Sequence, residues 1–539
     1  MKKKQHSKIY SVNSAIVSLC FMLLAIAYTY GIHKGLNTRI TAGFEVDAAN
    51  MGVALSRIWF GLFEGYVGYR EVYNTLFRVL VPDFNPNNPE NFYLLSSPQA
   101  IQHALDAVKA INPLTLPAFS VLTPEFISIN MEDHGLADFY TIAFLLFGAR
   151  PTSMYNLYFL LMLTSVLLFI FEYRQHLFPL ILLCLMLASF QIFFFSPLFN
   201  PVTFPSVNSN RFISTLGFIP IAHIICMYFN GINKLRRPQV LRLIAQSMLF
   251  TFALTIRSSA QWQLITVIIY VIPVALIILW PQRKSLFNLH NLRLLTHPIL
   301  ASALILFSTS WIYLSIQNMA LNPVYTTDCS PPQHGFWHSA FLGLSVHPQF
   351  SQFNPNAAGI SDANGWKAFE KYMHGKGLDP VCHIHNGYAY GLHEIVIKQE
   401  FLRFAMKNKM FMLELYGYYK PKMIWDAFWF RIQQVSAPLL LSSFCLSIYF
   451  GVLLSYRNRH DRFTLNPIKL TAVVTLFCAS STIPSIFAYA AMSSPSDDLW
   501  MFVIYIYVCS TTLAYMLHSR FTARRLPYFQ YEENPSTLK

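Results

Sequence analysis

The sequence predicts an all-α integral membrane protein of about ten transmembrane helices, with two long extracytoplasmic loops that bear juxtamembrane helices. Three observations predict it. Of the 539 residues, 54% are hydrophobic and only 12% charged, about half the charged share of an ordinary soluble domain. Apolar runs recur along the whole chain, most near the roughly 17–25 residues that a spanning helix needs. Basic residues sit in short clusters between those runs, as in cytoplasmic loops. The net charge of +14 therefore points to membrane topology and not to nucleic acid.

The chain starts MKKKQHSKIY and enters an apolar run with no small-residue cleavage site after it. That pattern predicts an uncleaved first span with a cytoplasmic N-terminus. Candidate spans are 12–31, 153–172, 177–197, 212–230, 241–256, 262–280, 296–317, 434–455, 468–492 and 499–517. Ten spans put the basic clusters of the short loops and the tail inside: Lys234, Arg236 and Arg237; Arg283, Lys284 and Arg293; Arg457, Arg459 and Arg462; Arg520, Arg524 and Arg525. The Lys-rich second loop is outside, but long loops do not obey the charge rule. An eleventh span at 137–149 would turn all of them outward, so that run is expected at the interface.

Three regions follow. Residues 1–317 form a transmembrane core with a first extracytoplasmic loop at 32–152, residues 318–430 form the second loop, and 431–539 hold the last spans and a cytoplasmic tail. In the first loop, 97–110 reads as an amphipathic helix capped at Ser97. Residues 131–150, MEDHGLADFYTIAFLLFGAR, place Glu132 and Asp133 before a short apolar helix. Carboxylates suit a helix N-terminus, where the backbone dipole favours negative charge. In the second loop, 393–415 mixes apolar and basic positions at helical spacing, which suits a helix on a membrane surface. Neither loop holds an N-x-S/T acceptor, which points to a bacterial plasma membrane.

Cys20, Cys184, Cys226, Cys445, Cys478 and Cys509 lie in apolar runs and read as packing residues. Cys329 and Cys382 are in the second loop. There a disulfide is permitted, with two independent thiols as the alternative.

Several residues carry candidate chemistry. Glu45 and Asp47 follow the first span, and residues two apart on extended chain face the same way. Asp47 also precedes a helical pattern that ends at Arg57, so it is equally a helix-capping residue. Glu132 and Asp133 supply a second acidic cluster in the same loop. Arg211 and Arg257 lie at outer boundaries of spans. Each is either an anion clamp, since guanidinium matches phosphate in two-pronged fashion, or a snorkelling side chain. His334, His338 and His347, with Trp337, suit a pocket for sugar or phosphate. A divalent metal is the less favoured use, because H-x-x-x-H converges only on a helix and this stretch reads as loop.

This layout resembles the GT-C glycosyltransferases, membrane enzymes that use polyprenyl-phosphate sugars and include protein O-mannosyltransferases and aminoarabinose transferases. In that family one span leads to an outer loop with a motif that is commonly Asp-Glu, then a helix with Ala-Arg. Here Glu45-Val46-Asp47 stands there, with Arg57 further on. The family loop ends in His-Pro-Pro-Leu, an apolar helix and Phe-Gly. Here His134-Gly135-Leu136 and Leu146-Phe147-Gly148 frame the helix, without the prolines. FWHSAFLGLSVHP (336–348) and NPNAAGISDANGW (354–366) resemble segments of bacterial relatives.

The resemblance implies sugar transfer, with inversion, from a polyprenyl-phosphate donor to a glycolipid, polysaccharide or protein. It implies Asp47 as general base, with Glu45, Glu132 or Asp133 as alternatives. It also implies Arg257, Arg211 and His134 on the donor phosphate. A polysaccharide polymerase or ligase is the enzymatic alternative. A transporter or lipid flippase would instead carry midplane charges and inverted repeats, and no repeat is visible here.

Overall fold

The structure, a computed structural model, describes residues 16, 18–34, 44–80, 93–116, 127–129, 134–174, 176–195, 213–229, 235–257, 264–265, 298–320, 336–350, 362–382, 387–388, 390–423, 425–426, 445, 448–449, 451–452, 510–511 and 513–518. These residues are mostly helical. Among them, three helices are long and apolar enough to cross a membrane: Ser153–Tyr173, Arg237–Ile256 and Leu300–Met319. The expected runs at 262–280, 434–455, 468–492 and 499–517 lie wholly or largely outside the described residues.

In chain order, helix α1 (residues 18–34) is followed by the first-loop elements. These are β1 (Phe44–Asp47), α2 (Ala48–Phe60), β2 (Val67–Tyr69), α3 (Arg70–Leu80), β3 (Tyr93–Ser96), α4 (Pro98–Lys109), β4 (Ile127–Ile129) and α5 (His134–Phe147). Then come α6 (Ser153–Tyr173), α7 (Leu177–Phe195), α8 (Phe218–Phe229), α9 (Arg237–Ile256) and α10 (Pro298–Met319). The second loop supplies α11 (Phe336–Leu342), α12 (Asp362–Gly375), β5 (Val381–Cys382), β6 (Gly387–Tyr388), α13 (Tyr390–Lys407) and α14 (Lys409–Glu414).

Local chemistry explains the first-loop boundaries. Ser97 caps α4 by accepting from the Ala100 amide at 3.2 Å, and Pro98 fills the first helical position, where an N–H is not needed. Helix α2 stops at Gly61, whose φ of 69° is left-handed. Helix α5 stops before Gly148 at φ 77°.

The strands were not expected from an all-helical reading. β1 pairs antiparallel with β3, setting Glu45 opposite Leu95 and Asp47 opposite Tyr93. β2 pairs with β4, and β5 with β6. Each strand has at most four residues, too few for a two-residue period to stand out.

The described residues build two main apolar cores. The larger joins buried residues of α1, the first-loop helices and α6–α10, so the first loop is packed onto the long helices. Helix α5 contacts α2, α6 and α9, and α9 also contacts α8 and α10. Polar bonds tie the long helices together. The Ser165 hydroxyl donates to Gln246 Oε1 at 2.8 Å and Gln246 Nε2 donates to the Ser165 carbonyl at 2.8 Å. Thr251 and Ser310 hydroxyls meet at 2.8 Å, and Arg242 pairs with Glu172 at 2.7 Å. Such bonds hold helices together where apolar burial gives little preference between lipid and protein. The second core is formed within the second loop by α11–α14 around Phe350, Phe369, Ile397 and Leu415.

Candidate functional site

Helix α2 carries two of the site's side chains, one near each end. Asp47 is its N-cap: Oδ1 accepts from the Asn50 amide at 3.0 Å and Oδ2 from Asn50 Nδ2 at 2.5 Å. Its carboxylate is buried, and it raises the Tyr73 phenol above its ordinary range, second to burial. The capping role read from the sequence is thus realised.

Arg57 lies in the last turn of α2, where a cation faces the negative end of the helix dipole. Ten residues at about 1.5 Å each put it about 15 Å along the axis from Asp47. Its Nη1 donates to Asp138 Oδ1 at 3.0 Å and to the Thr141 hydroxyl at 3.4 Å, both on α5.

Asp138 is the hub. Its Oδ2 accepts from the Tyr66 hydroxyl at 2.8 Å, and Tyr313 of α10 also hydrogen-bonds to it. The Tyr66 oxygen in turn accepts from Gln317 Nε2 at 3.1 Å. The Tyr66 ring stacks on His134 with centroids 4.4 Å apart and lies 4.8 Å from the Arg57 guanidinium carbon. Tyr66 holds this place with φ at 58°, next to Gly65 at 33°. A bulky residue in the left-handed region is unusual and costs on the order of 1–3 kcal/mol, a kind of strain that collects at functional sites.

The first turn of α5 meets the end of α9. A Cβ on Gly135 would lie 2.4 Å from the Thr255 carbonyl carbon and hydroxyl and 2.6 Å from the Ile256 nitrogen. Only glycine allows that approach. Thr255 and Ile256 lead directly into Arg257, which ends α9 and is buried.

Burial, and then the Arg57 cation, lower His134 from 6.5 to about 4. Its imidazole is therefore neutral near pH 7. Burial, and then the Asp138 charge, raise Tyr66 well above its ordinary range, so the phenol keeps its proton and remains a donor. The arrangement holds a fixed cation, a neutral imidazole and a phenol around one carboxylate, at the seam between the first loop and the long helices.

The structure thus brings His134 to the Arg57–Tyr66–Asp138 cluster and sets its neighbour Gly135 against the chain leading into Arg257. Asp47 sits one helix length from that cluster. Glu45 lies in β1. Glu132, Asp133, Arg211, His334 and Cys329 lie outside the described residues, and Cys382 is in β5, paired with Gly387.

Trp337, His338 and His347 are packed into the second core. Glu394 of α13 accepts from the Trp337 and His338 amides at 3.0 Å each, and His338 Nδ1 lies 3.4 Å from His393 Nε2. His347 is buried between Phe411 and Tyr419, with Nε2 3.2 Å from Glu414. Its Nδ1 accepts from the Gln349 amide at 3.2 Å. These contacts brace the loop internally. Among the described residues, no three His, Cys, Asp or Glu side chains form a group that could hold a metal ion.

Asp138, Tyr66 and Gln317 were missed from the sequence. One signal was present for Asp138: it is the single charged residue in the apolar run Gly135–Phe147, and a carboxylate there is costly unless paired. Compared with known proteins, the chain matches no family model, no curated protein and no solved structure.

Proposed function

We propose that this chain is a multi-span membrane glycosyltransferase that moves a sugar from a polyprenyl-phosphate donor to an acceptor on the extracytoplasmic face. The proposal includes ten spans, both termini in the cytoplasm, and residence in a bacterial inner membrane. The contact of Gly135 with Thr255 and Ile256 carries the reading. It joins the start of α5, which Glu132 and Asp133 precede in sequence, to the end of α9, which leads into Arg257. Transfer from a lipid phosphate needs a base for the acceptor and cationic or hydrogen-bonding groups for the departing phosphate. A seam between apolar helices and a folded polar loop suits both halves of such a donor. The prenyl chain lies against the helices, and the sugar phosphate meets the loop.

In the proposed step, a carboxylate takes the proton of an acceptor hydroxyl. The acceptor oxygen bonds to the anomeric carbon as the bond from that carbon to the phosphate oxygen breaks. Polyprenyl phosphate leaves with the electron pair, and the configuration inverts. Asp47 is the first choice for the base, with Glu45, Glu132 and Asp133 as the other carboxylates of the loop. Arg257, with Arg211 and His134, faces the phosphate. Arg57, held by Asp138, fixes the loop against α5.

The test uses membranes containing the chain and a polyprenyl phosphate carrying a labelled sugar. Label should pass from the lipid to a product that organic solvent does not extract or that runs as a larger glycolipid. Cells lacking the chain should accumulate the lipid-linked sugar and lose one sugar from a surface glycan by mass spectrometry. Movement of the intact lipid-linked sugar across the bilayer, with the linkage never cleaved, would replace this reading with that of a flippase.

A further inference from the structure

We propose that the outer face of α13 and α14 is a docking surface for the anionic phospholipid headgroups of the extracytoplasmic leaflet. It rests on the reading of 434–455 as a span in the ten-span topology, and it concerns the second loop and not the seam around Asp138.

The two helices bury one side and leave the other open. Val396, Ile397 and Phe401 of α13 and Phe411 of α14 are buried in the second core, as is Leu415 just beyond α14. Both helices pack on that one core, so their remaining faces turn away from it. On those faces Leu402 is 40% exposed, Met406 69%, Met410 67% and Leu413 65%, and Tyr418 follows at 57%. Spacings of three and four residues put such side chains on one stripe of each helix. Large apolar side chains grouped this way on an exposed surface mark an interaction face.

Charge selects the partner. Lys398, Arg403, Lys407, Lys409 and Lys422 are exposed along the same segment. The acidic residues on it are engaged. Glu400 pairs with Arg403 at 2.7 Å, Glu414 lies 3.2 Å from His347, and Glu394 accepts from the amides that start α11. The face is therefore apolar and cationic, the combination that seats a helix in the headgroup region of an anionic bilayer. An acidic protein would satisfy the charge but not the stripe of Leu and Met.

Reach agrees. Helical structure continues to residue 423, and the next apolar run starts at 434. The ten residues between them span at most about 35 Å, so the end of this segment stays near the bilayer.

The test places a fluorescent amino acid at Met406 or Met410 of the full chain in nanodiscs. The expected result is quenching by a spin-labelled lipid and protection from aqueous iodide. Protection should deepen when phosphatidylglycerol is added to phosphatidylcholine, and the quadruple change Lys398→Gln, Arg403→Gln, Lys407→Gln, Lys409→Gln should abolish that dependence. Quenching by iodide and not by lipid overturns the proposal. Protection from both quenchers also overturns it, because another protein or a second copy then covers the face. Lipid quenching indifferent to phosphatidylglycerol overturns the anionic preference. None of these readouts depends on sugar transfer, so a failure here and a failure of the glycosyltransferase reading are separately visible.

Discussion

Arg57 Nη1 stands 3.0 Å from Asp138 Oδ1, joining the end of α2 to the first turns of α5. Both side chains are largely withdrawn from water, at 9% and 22% exposure. Removing either partner leaves an uncompensated charge in that setting. Fully buried pairs lose about 3–5 kcal/mol on such truncation, and the partial exposure of Asp138 places this one at about 2–4 kcal/mol. Asp138→Ala should lower the thermal unfolding midpoint of the purified protein. Arg57→Lys, which keeps the charge but not the planar fork, should lower it less. Equal midpoints for wild type and Asp138→Ala would remove the pair from the stability of the fold.

Asp47→Asn separates capping from catalysis. Asparagine caps a helix about as well as aspartate, so the unfolding midpoint should stay close to wild type. A missing general base costs on the order of 10²–10⁴ in rate, and that loss should appear in labelled-sugar transfer. Full transfer activity in this variant would move the base to another carboxylate of the loop.

Gly135→Ala tests the approach of α5 to α9. The added methyl would overlap backbone atoms of Thr255 and Ile256, which have no rotamer to yield. Overpacking of this kind costs about 1–3 kcal/mol, occasionally more. The variant should unfold at lower temperature and lose transfer activity as the chain leading into Arg257 shifts. A variant with unchanged stability would mean that the two helices sit further apart.

His134 gives the pH dependence a sign. Its value is 6.5 unfolded and about 4 folded, so between those values the unfolded chain binds more protons. The His134 contribution to stability should therefore fall as pH drops from about 6.5 to about 4 and level off below that. Thermal unfolding of wild type and His134→Gln across this window isolates the contribution, since the variant should show a shallower decline. Parallel curves would refute the depressed value.

Topology offers a further check. Single cysteines placed within 354–364 should react with a membrane-impermeant maleimide added to intact spheroplasts. Labelling only after permeabilisation would reverse the orientation proposed for the second loop.

Local sequence marks the long apolar helices and the capped helix α4, whereas α11 (Phe336–Leu342), in a stretch that reads as loop, is helical in the structure. Apolar runs, caps and breakers are properties of neighbouring residues, so Ser97 announced α4 and the 153–172 run announced Ser153–Tyr173. The short strands escaped that reading because pairing partners, and not local propensity, define them. The hub around Asp138 was decided by tertiary structure alone. Arg57 and Tyr66 reach it across 81 and 72 residues, and Gln317 reaches Tyr66 across 251. No periodicity encodes such separations. Only packing of the first loop onto the long helices brings these groups within hydrogen-bond distance, and a half-buried carboxylate is tolerated there because those partners arrive together.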